Sequence, residues 1–289
     1  MASELWPKPL VSTEWVLENL SNPKVRIIDS STHLLPKADF SIYDVVPAIE
    51  EYKNAHIPKA QFLDIEHELS TPHPQCHFML PNPDVFAKTM SRLGISDDTM
   101  VIAYSTTNHW WATRLWWTLQ VFGHKNVAVL DGGFQKWQAE DKPIESGEAK
   151  PTGSGTYSLR DPNLSLVANK DSILQHLEGN SVCLINALRR EQYEGQGGVH
   201  YGRKGRITQS INLPALEHVN ADNTFKSLDE LKKIFSDVLV QNEIIAYCGG
   251  GIAATSVALA LDMLGHKNVK VYDASLTEWA ADHTLPMDV

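Results

Sequence analysis

Residues 101–137 read VIAYSTTNHWWATRLWWTLQVFGHKNVAVLDGGFQKW, and residues 244–279 read IIAYCGGGIAATSVALALDMLGHKNVKVYDASLTEW. Each segment opens with an apolar run that ends in Ala-Tyr, and each contains Gly-His-Lys-Asn-Val. Upstream, VRIIDSS (25–31) corresponds to VCLINAL (182–188), and AHIPKAQFLD (55–64) corresponds to GRITQSINLP (205–214). These features recur in the same order at an offset of roughly 140 to 160 residues, which predicts a duplicated domain and not a short solenoid repeat.

Short β-branched runs alternate with helical segments in both copies. The runs are VRIID, TMVIAY and NVAVLD in the first copy and VCLIN, EIIAY and NVKVYD in the second. Between them lie ATRLWWTLQVFG and ATSVALALDMLG, each of which ends in a glycine that suits a helix C-terminus. Strands separated by helices predict an α/β fold with two tandem domains, each a mainly parallel sheet flanked by helices.

The segment SGEAKPTGSGTYS (146–158) is rich in Gly, Ser and Pro, which is typical of a linker. The predicted domains are therefore residues 1–145 and residues 159–289. The second domain carries the cysteine turn described below, and the matching turn of the first domain has no cysteine.

Composition excludes several classes of protein. The chain has 289 residues, 43% of them hydrophobic, and a formal net charge of −10, which argues against a nucleic-acid-binding protein. No apolar run is long enough to cross a membrane, and the N-terminal residues do not resemble a secretory signal. Three cysteines without an export signal predict reduced thiols and a cytoplasmic location.

Cys248 follows the apolar run EIIAY and precedes three glycines and a helical segment. In a parallel α/β sheet, ligands bind at the carboxyl ends of the strands, where this cysteine is expected. Glycines let successive backbone N–H groups curl around an anion beside a helix N-terminus, and such a setting favours thiolate over thiol. The competing interpretation of these residues is a glycine-rich turn that holds an inert cysteine.

Other chemistries fit the turn poorly. A nucleotide-binding P-loop needs Lys-Ser/Thr after its glycines, and a cysteine phosphatase needs an arginine that clamps phosphate, whereas Ile-Ala-Ala-Thr (252–255) stands here. His73, Cys76 and His77 are potential metal ligands, but the chain has no second cluster with zinc spacing. We therefore predict no metal site. The pairs Trp110-Trp111 and Trp116-Trp117 are expected to pack in the core.

Taken together, the two α/β halves and several segments resemble the tandem rhodanese family of thiosulfate and 3-mercaptopyruvate sulfurtransferases. AHIPKAQFLDIE resembles the GHIPGA-type segment of that family, CHFMLPNPDVF resembles its HMLP segment, and LDGG-x-x-x-W is present at 130–137. The resemblance covers nearly the whole chain. It implies a cysteine that takes a sulfane sulfur from a small donor and passes it to cyanide, a thiol or a thioredoxin-like protein.

The same resemblance assigns roles to individual residues. Cys248 matches the catalytic cysteine and is expected to carry the sulfur as a persulfide, without an organic cofactor or a metal. The persulfide charge would be held by the backbone amides of Gly249, Gly250, Gly251, Ile252 and Ala253. From the first half, Asp64 and His77 match or nearly match residues around the site of mercaptopyruvate enzymes, His77 with a shift of one residue. The internal repeat separately places Trp110 in the turn that corresponds to the cysteine turn, so Trp110 is expected to overlook it.

The identity of the donor stays open at the level of sequence. Thiosulfate-preferring members resemble C-R-K-G and mercaptopyruvate-preferring members resemble C-G-S-G, so Cys-Gly-Gly-Gly is closer to the second pattern. That pattern also expects two arginines in D-A-R-x-x-x-R-F, where this chain has Leu188 and Gln192. Arg189 and Arg190 lie beside these positions and are candidate substrate-binding residues. Solvated surface arginines are the alternative interpretation of the pair.

Two other functional classes are compatible with these residues. The chain is alternatively a thiol-based redox sensor or a sulfur carrier with little turnover, which the missing arginines favour. It is also compatible with a binding scaffold with a degenerate site, although an intact cysteine in a glycine turn argues against that class.

Overall fold

Each half of the chain folds around its own parallel sheet. The computed structural model describes residues 9–38, 42–148, 153–179 and 182–289. In the first half, the sheet has the strand order β1-β7-β6-β2-β5, and every pair of neighbouring strands is parallel. Within the described residues, the strands of this half are β1 (Leu10–Val11), β2 (Val25–Asp29), β3 (Thr32–Pro36), β4 (Tyr43–Pro47), β5 (Gln61–Phe62), β6 (Met100–Tyr104) and β7 (Val127–Leu130). Its helices are α1 (Thr13–Asn19), α2 (Ile49–Asn54), α3 (Ile65–Glu68), α4 (Pro83–Arg92), α5 (Trp110–Val121) and α6 (Gly133–Ala139).

The second half repeats this plan with the strand order β11-β9-β12-β13-β8, again with parallel neighbours. Its described strands are β8 (Val167–Ala168), β9 (Cys183–Asn186), β10 (Arg206–Ile207), β11 (Ile211–Asn212), β12 (Ile244–Tyr247), β13 (Val269–Tyr272) and β14 (Met287–Asp288). Its described helices are α7 (Lys170–Gly179), α8 (Arg190–Tyr193), α9 (Leu228–Ile234), α10 (Ala254–Met263) and α11 (Ser275–Trp279), with short 3-10 turns at Leu164–Leu166 and Ala215–His218. The predicted fold of two mainly parallel sheets flanked by helices is confirmed.

The central strands explain why the halves fold in this way. Every residue of β6 and β12 is buried, because helices cover both faces of a parallel sheet. The helices that follow, α5 and α10, both end before a glycine in the left-handed region, Gly123 (φ 75°) and Gly265 (φ 85°). The helix ends that these glycines predicted are therefore confirmed in both copies.

The halves meet along α5 and α10 with approximate two-fold symmetry. Thr113 Oγ1 and the corresponding Thr255 Oγ1 are hydrogen-bonded at 2.7 Å across the interface. Trp111, Trp116 and Trp117 are buried, which confirms the predicted core role of three of the four tryptophans. The interface is thus built from the same positions of each copy.

Two aspartates at corresponding positions also reach across the interface. Asp131 Oδ1 accepts the N–H of Phe225 at 2.8 Å, and Asp273 Oδ2 accepts the N–H of Leu80 at 2.9 Å. Asp273 additionally forms a buried ion pair with Arg114, with 2.7 Å between Nη1 and Oδ1. These contacts hold the carboxyl ends of both sheets against the opposite half.

Two features of the fold were not predicted from the sequence. Strands β3 and β4 form an antiparallel hairpin beside the first sheet, and β10 pairs with β14. Residues 149–152 of the predicted linker lie outside the described residues, and Gly155 N and Thr156 N donate to Ser91 O and Ser96 Oγ of the first half. The domain boundaries, including residues 1–8 outside the described ranges, stay predictions. Among the described helices, none has the length and apolar character that crossing a membrane requires.

Candidate functional site

Cys248 lies at the carboxyl end of β12, one turn before α10 begins, and only 2% of the residue is exposed. The hydroxyl of Ser275 fixes the turn from the side of the next strand. Ser275 Oγ accepts the N–H of Cys248 at 3.0 Å and that of Gly251 at 3.1 Å, and it donates to Tyr272 O at 2.7 Å. Ser275 adopts a φ of 52°, a left-handed conformation that is unusual for a residue with a side chain. The strained serine therefore clamps both ends of the cysteine turn.

The remaining amides of the turn are available to a ligand. Four N–H groups donate to no acceptor in the described part of the chain: those of Gly249, Gly250, Ile252 and Ala253. Successive free N–H groups beside a helix N-terminus form an anion-binding concavity. The N–H of Gly251 was also predicted to face the anion, but it donates to Ser275 Oγ. The structure therefore shows four amides, and not five, free to face an anion.

Two carbonyl groups of the turn accept hydrogen bonds from residues outside it. Gly249 O accepts hydrogen bonds from Thr277 N at 2.9 Å and from Thr277 Oγ1 at 2.8 Å. Gly251 O accepts one from Arg114 Nη1 of the first half at 3.2 Å. Because the carbonyl dipoles are engaged by α11 and α5, the free amides give the turn a partial positive charge at the sulfur.

Two of the three glycines are required by close approach of their neighbours. Gly251 has a φ of 74°, and a Cβ atom there would overlap the backbone oxygen of Asp273. A Cβ atom on Gly249 would overlap the phenol ring of Tyr201, whereas Gly250 meets only Thr277 Oγ1, at 3.8 Å. Glycine is therefore required at position 251 by the backbone angle and at position 249 by the lack of space for a side chain.

The turn forms the floor of a cleft of about 760 Å³ between the two halves. This volume is typical of a small-molecule site. The first half contributes the β3–β4 hairpin together with Phe78, Trp110 and Trp111. The second half contributes residues 187–189, parts of 191–201, and the cysteine turn. Both halves are therefore needed to complete the site.

Three residues proposed from the sequence line the cleft in addition to the turn: His77, Trp110 and Arg189. Trp110 packs with Phe78 and Ile252, and its partial exposure leaves it facing the cleft. His77 Nδ1 is 2.6 Å from Glu66 Oε1, which fixes the ring. Arg189 is exposed and forms no ion pair with any described residue.

Asp64 and Arg190 lie elsewhere among the described residues. Asp64 caps α3: its Oδ1 accepts the N–H of His67 at 3.1 Å, and its Oδ2 is 2.7 Å from His67 Nδ1. This hydrogen bond raises the pKa of His67. Arg190 is exposed in α8 and is absent from the described lining of the cleft. No contact between either side chain and the cysteine turn is found among the described residues.

The residues considered as metal ligands are engaged in other contacts. His73 Nδ1 accepts the N–H groups of Gln75 and Cys76, and the described residues contain no group of three metal-ligating side chains. Burial raises the pKa of the Cys76 thiol to about 11 and that of the Cys183 thiol to about 11. Both cysteines are therefore protonated near neutral pH, and Cys183 is only partly buried, at the start of β9.

Several functional residues were missed by sequence reasoning. Ser275 corresponds to Gly133 in the first copy, and Gly133 also has a left-handed φ, of 58°. A glycine at that position of the repeat was the signal that could have located Ser275. Tyr201 and Tyr43 line the cleft beside the turn, but no local pattern marks them, because they reach it through tertiary packing.

Comparison with known proteins shows which family the chain resembles. The family model for the rhodanese-like domain matches residues 12–140 and 170–282. The 3-mercaptopyruvate sulfurtransferase of Escherichia coli K12 is 33% identical over 290 residues, covering 96% of this chain and 97% of that protein. Mouse thiosulfate sulfurtransferase is 32% identical over 290 residues, covering 96% of this chain and 94% of that protein.

A sulfur carrier protein and a protein of solved structure are each 32% identical to this chain. The sulfur carrier protein TtuD of Thermus thermophilus is 32% identical over 290 residues, covering 94% of each chain. The crystal structure of SseA from Escherichia coli, described as a 3-mercaptopyruvate sulfotransferase, aligns with a TM-score of 0.80 at 32% identity. That alignment covers 93% of this chain and 99% of the other.

Proposed function

Because the chain belongs to the rhodanese family, with two rhodanese-like domains, we propose that it moves a sulfane sulfur through a persulfide on Cys248. The activity itself is that of a sulfurtransferase, the class to which relatives similar over nearly the whole chain belong. The proposal concerns the covalent route, the donor and the acceptor. The donor is thiosulfate or 3-mercaptopyruvate, and the acceptor is cyanide, a small thiol or a thioredoxin-like protein.

The first step is attack of the Cys248 thiolate on the sulfur that is transferred, which is the outer sulfur of thiosulfate or the thiol sulfur of 3-mercaptopyruvate. With thiosulfate, the sulfur–sulfur bond of the donor breaks, sulfite leaves with the electron pair, and Cys248 becomes a persulfide anion. With 3-mercaptopyruvate, the carbon–sulfur bond breaks, and the enolate of pyruvate takes up a proton. His77 lines the cleft and is the candidate proton donor to this enolate.

The second step returns the cysteine to its starting state. The acceptor attacks the terminal sulfur, the new sulfur–sulfur bond breaks, and the electron pair goes back to the Cys248 thiolate. With cyanide, the product is thiocyanate. Donor and acceptor use the same cleft in turn, which is a ping-pong route.

One observation supports this proposal: a cysteine at a strand end is followed by four amides for which no described residue is an acceptor. Hydrogen bonds to an anion are about twice as strong as neutral ones, because the acceptor carries a full charge. The free amides would stabilise both the attacking thiolate and the persulfide. A buried cysteine without such donors would stay a thiol, as Cys76 does.

The test is the intact mass of the protein after separate incubation with thiosulfate and with 3-mercaptopyruvate. We expect a gain of one sulfur atom, its removal by cyanide, and no gain in Cys248→Ser. Cys183→Ala is the matched control, because Cys183 lies outside the cleft and should leave the gain intact. Steady-state turnover should fall in Cys248→Ser by about a thousandfold or more, since the nucleophile is lost. Transfer that persists in this variant would contradict the proposal.

A sulfur carrier with little turnover is the second candidate. It is favoured by the similarity to the sulfur carrier protein of Thermus thermophilus and by Leu188 and Gln192 at positions where arginines were expected. The two candidates differ kinetically. A carrier gives one sulfur per chain in a burst with cyanide, whereas an enzyme continues to release thiocyanate. We also propose a cytoplasmic location, because all three cysteines are free thiols.

A further inference from the structure

The phenol ring of Tyr201 occupies the space beside the second residue of the cysteine turn. The hydroxyl end of the ring lies against Gly249, where an added Cβ atom would overlap Tyr201 Cζ and Oη. The neighbouring Gly250 has open space, with Thr277 Oγ1 the nearest atom to such a Cβ, at 3.8 Å. One side of the turn is therefore closed by an aromatic side chain, and the other side is open.

A second tyrosine holds this ring in place. Tyr43 of β4 packs against this ring, with the two ring centroids 6.4 Å apart at an angle of 58°. Burial raises the pKa of Tyr201 well above its ordinary value, so the hydroxyl keeps its proton near neutral pH. A phenol hydroxyl is both a donor and an acceptor of hydrogen bonds. Both tyrosines line the cleft, so a neutral phenol donor lies beside the cysteine turn.

The cleft offers little positive charge beside the sulfur. Among the described lining residues, Arg189 is the only lysine or arginine, and it is exposed at the rim. The two lining histidines are each paired with a carboxylate: His33 Nε2 is 2.9 Å from a glutamate oxygen of α2, and His77 Nδ1 is 2.6 Å from one of α3. Glu191 adds a negative charge to the lining. The groups that meet a donor at Cys248 are therefore neutral amides and neutral hydroxyls.

We propose that Tyr201, held by Tyr43, determines which sulfur donor this site accepts. The ring excludes a side chain at Gly249, and the tyrosine pair supplies one neutral O–H donor in place of a cation. The selected donor carries at most one negative charge and an atom that accepts a phenolic hydrogen bond. A dianion such as thiosulfate is disfavoured, because its second charge would lose water without gaining a cationic partner. The inference rests on the proposed function of Cys248.

The charge selection can be measured without sulfur transfer. Two aromatic disulfides serve as probes of Cys248: neutral 4,4′-dithiodipyridine and dianionic 5,5′-dithiobis(2-nitrobenzoate). Each forms a mixed disulfide with the Cys248 thiolate and releases one coloured thiol. Rates are divided by those of N-acetylcysteine, which removes the intrinsic reactivity of the probes, and Cys248→Ser gives the background from the other cysteines. The normalised rate should favour the neutral probe by at least about tenfold.

A matched pair of variants assigns the effect to Tyr201. Tyr201→Lys introduces a cation beside Gly249, and Tyr201→Gln introduces a neutral chain of similar reach. We expect the preference for the neutral probe to be at least about fivefold smaller in Tyr201→Lys than in Tyr201→Gln, from attraction of the dianion. Equal preferences in the two variants, or no preference in the parent protein, would overturn the proposal.

A separate experiment tests whether the Tyr201 ring excludes a side chain at Gly249, in case either variant folds poorly. Gly249→Ala should lower the thermal midpoint and slow the reaction of Cys248, and the added change Tyr201→Gly should restore both. Gly250→Ala is the control, since its Cβ meets open space. If Tyr201→Gly brings no recovery, the ring does not occupy the place assigned to it.

Comparison of real donors separates this inference from the proposed function. The ratio of kcat/KM for 3-mercaptopyruvate to that for thiosulfate should fall in Tyr201→Lys relative to Tyr201→Gln. If the parent protein distinguishes the probes by charge but forms no persulfide with any donor, the proposed function fails and the selectivity stands. If persulfide forms with an unchanged donor ratio, Cys248 keeps its role and the assignment of Tyr201 is wrong.

Discussion

The turn after β6 and the turn after β12 occupy corresponding places in the two halves, yet their amides are used differently. In the first turn, Ser105 Oγ accepts the N–H of Thr107 at 3.1 Å, and Ser31 Oγ accepts that of Thr106 at 2.7 Å. In the second turn, glycines provide no side-chain acceptors, and four amides stay free. Among the described residues, the two amides that follow Ser105 thus donate to serine hydroxyls, whereas the two that follow Cys248 are left for an anion.

The comparison shows that the scaffold does not decide which half carries the chemistry. Both turns lie at the carboxyl ends of buried parallel strands, and both precede helices that pack against each other. His109 of the first turn is even enclosed by the second half, with Nε2 2.8 Å from Ser256 Oγ. Burial lowers the pKa of His109 to about 4, so it stays neutral and serves the interface. The half proposed to carry the chemistry differs from the other in a few side chains of its turn.

The largest expected effect on stability comes from the turn glycine with a left-handed conformation. Gly251→Ala should lower the free energy of unfolding by about 3 kcal/mol, because a Cβ is strained at φ 74° and overlaps Asp273 O. Sulfur transfer should fall with it, since the turn must move. Gly250→Ala, with open space, should change the free energy of unfolding by less than about 0.5 kcal/mol. Denaturant unfolding measures both, and equal losses would show that the backbone angle does not constrain the turn.

A smaller effect is expected at the end of β2, where Asp29 corresponds to Asn186 of β9. Asp29 is fully buried, and burial raises its pKa to about 6 from an unfolded value near 3.8. The folded state thus holds the proton more tightly, so this residue lowers stability as the pH rises from about 4 to above 6. Integrated over that window, the loss is about 2 to 3 kcal/mol at pH 8.

Asp29→Asn should remove that loss. Its amide oxygen can accept the N–H of Ser31, as Asn186 Oδ1 accepts that of Leu188 at 2.8 Å. We expect the variant to be more stable by about 2 kcal/mol at pH 8 and unchanged at pH 4. Asp84→Asn, at an exposed site, is the control. Thermal unfolding from pH 4 to pH 8 measures the difference, and a pH-independent difference would show that Asp29 does not titrate in this range.

The sequence predicted the fold because the relevant signals are local. Apolar runs such as those of β6 and β12 and the glycines after α5 and α10 fix strands and helix ends without reference to distant residues. The internal repeat then placed these elements in two similar halves. Cys248 and its glycines could be found in the same way, since a strand end followed by a turn is a local pattern.

The rest of the site depends on contacts between distant segments. Tyr201 meets Gly249 across nearly fifty positions of the chain, and Tyr43 comes from the other half. The β3–β4 hairpin forms one wall of the cleft, although nothing in its own sequence indicates a ligand site. For Asp64, the sequence motif and the local contacts point to different roles. Its motif suggested a place in the site, but the carboxylate caps its own helix.

The most direct measurement moves the cysteine from one turn to the other. In Ser105→Cys combined with Cys248→Ser, the thiol stands at the corresponding strand end, and both positions are 2% exposed in the parent protein. Intact mass after incubation with each donor, before and after cyanide, reports whether sulfur is gained. The account predicts one cyanide-labile sulfur on the parent protein and none on the double variant, whose turn has no free glycine amides. A cyanide-labile sulfur at position 105 would contradict it, because the scaffold alone would then suffice.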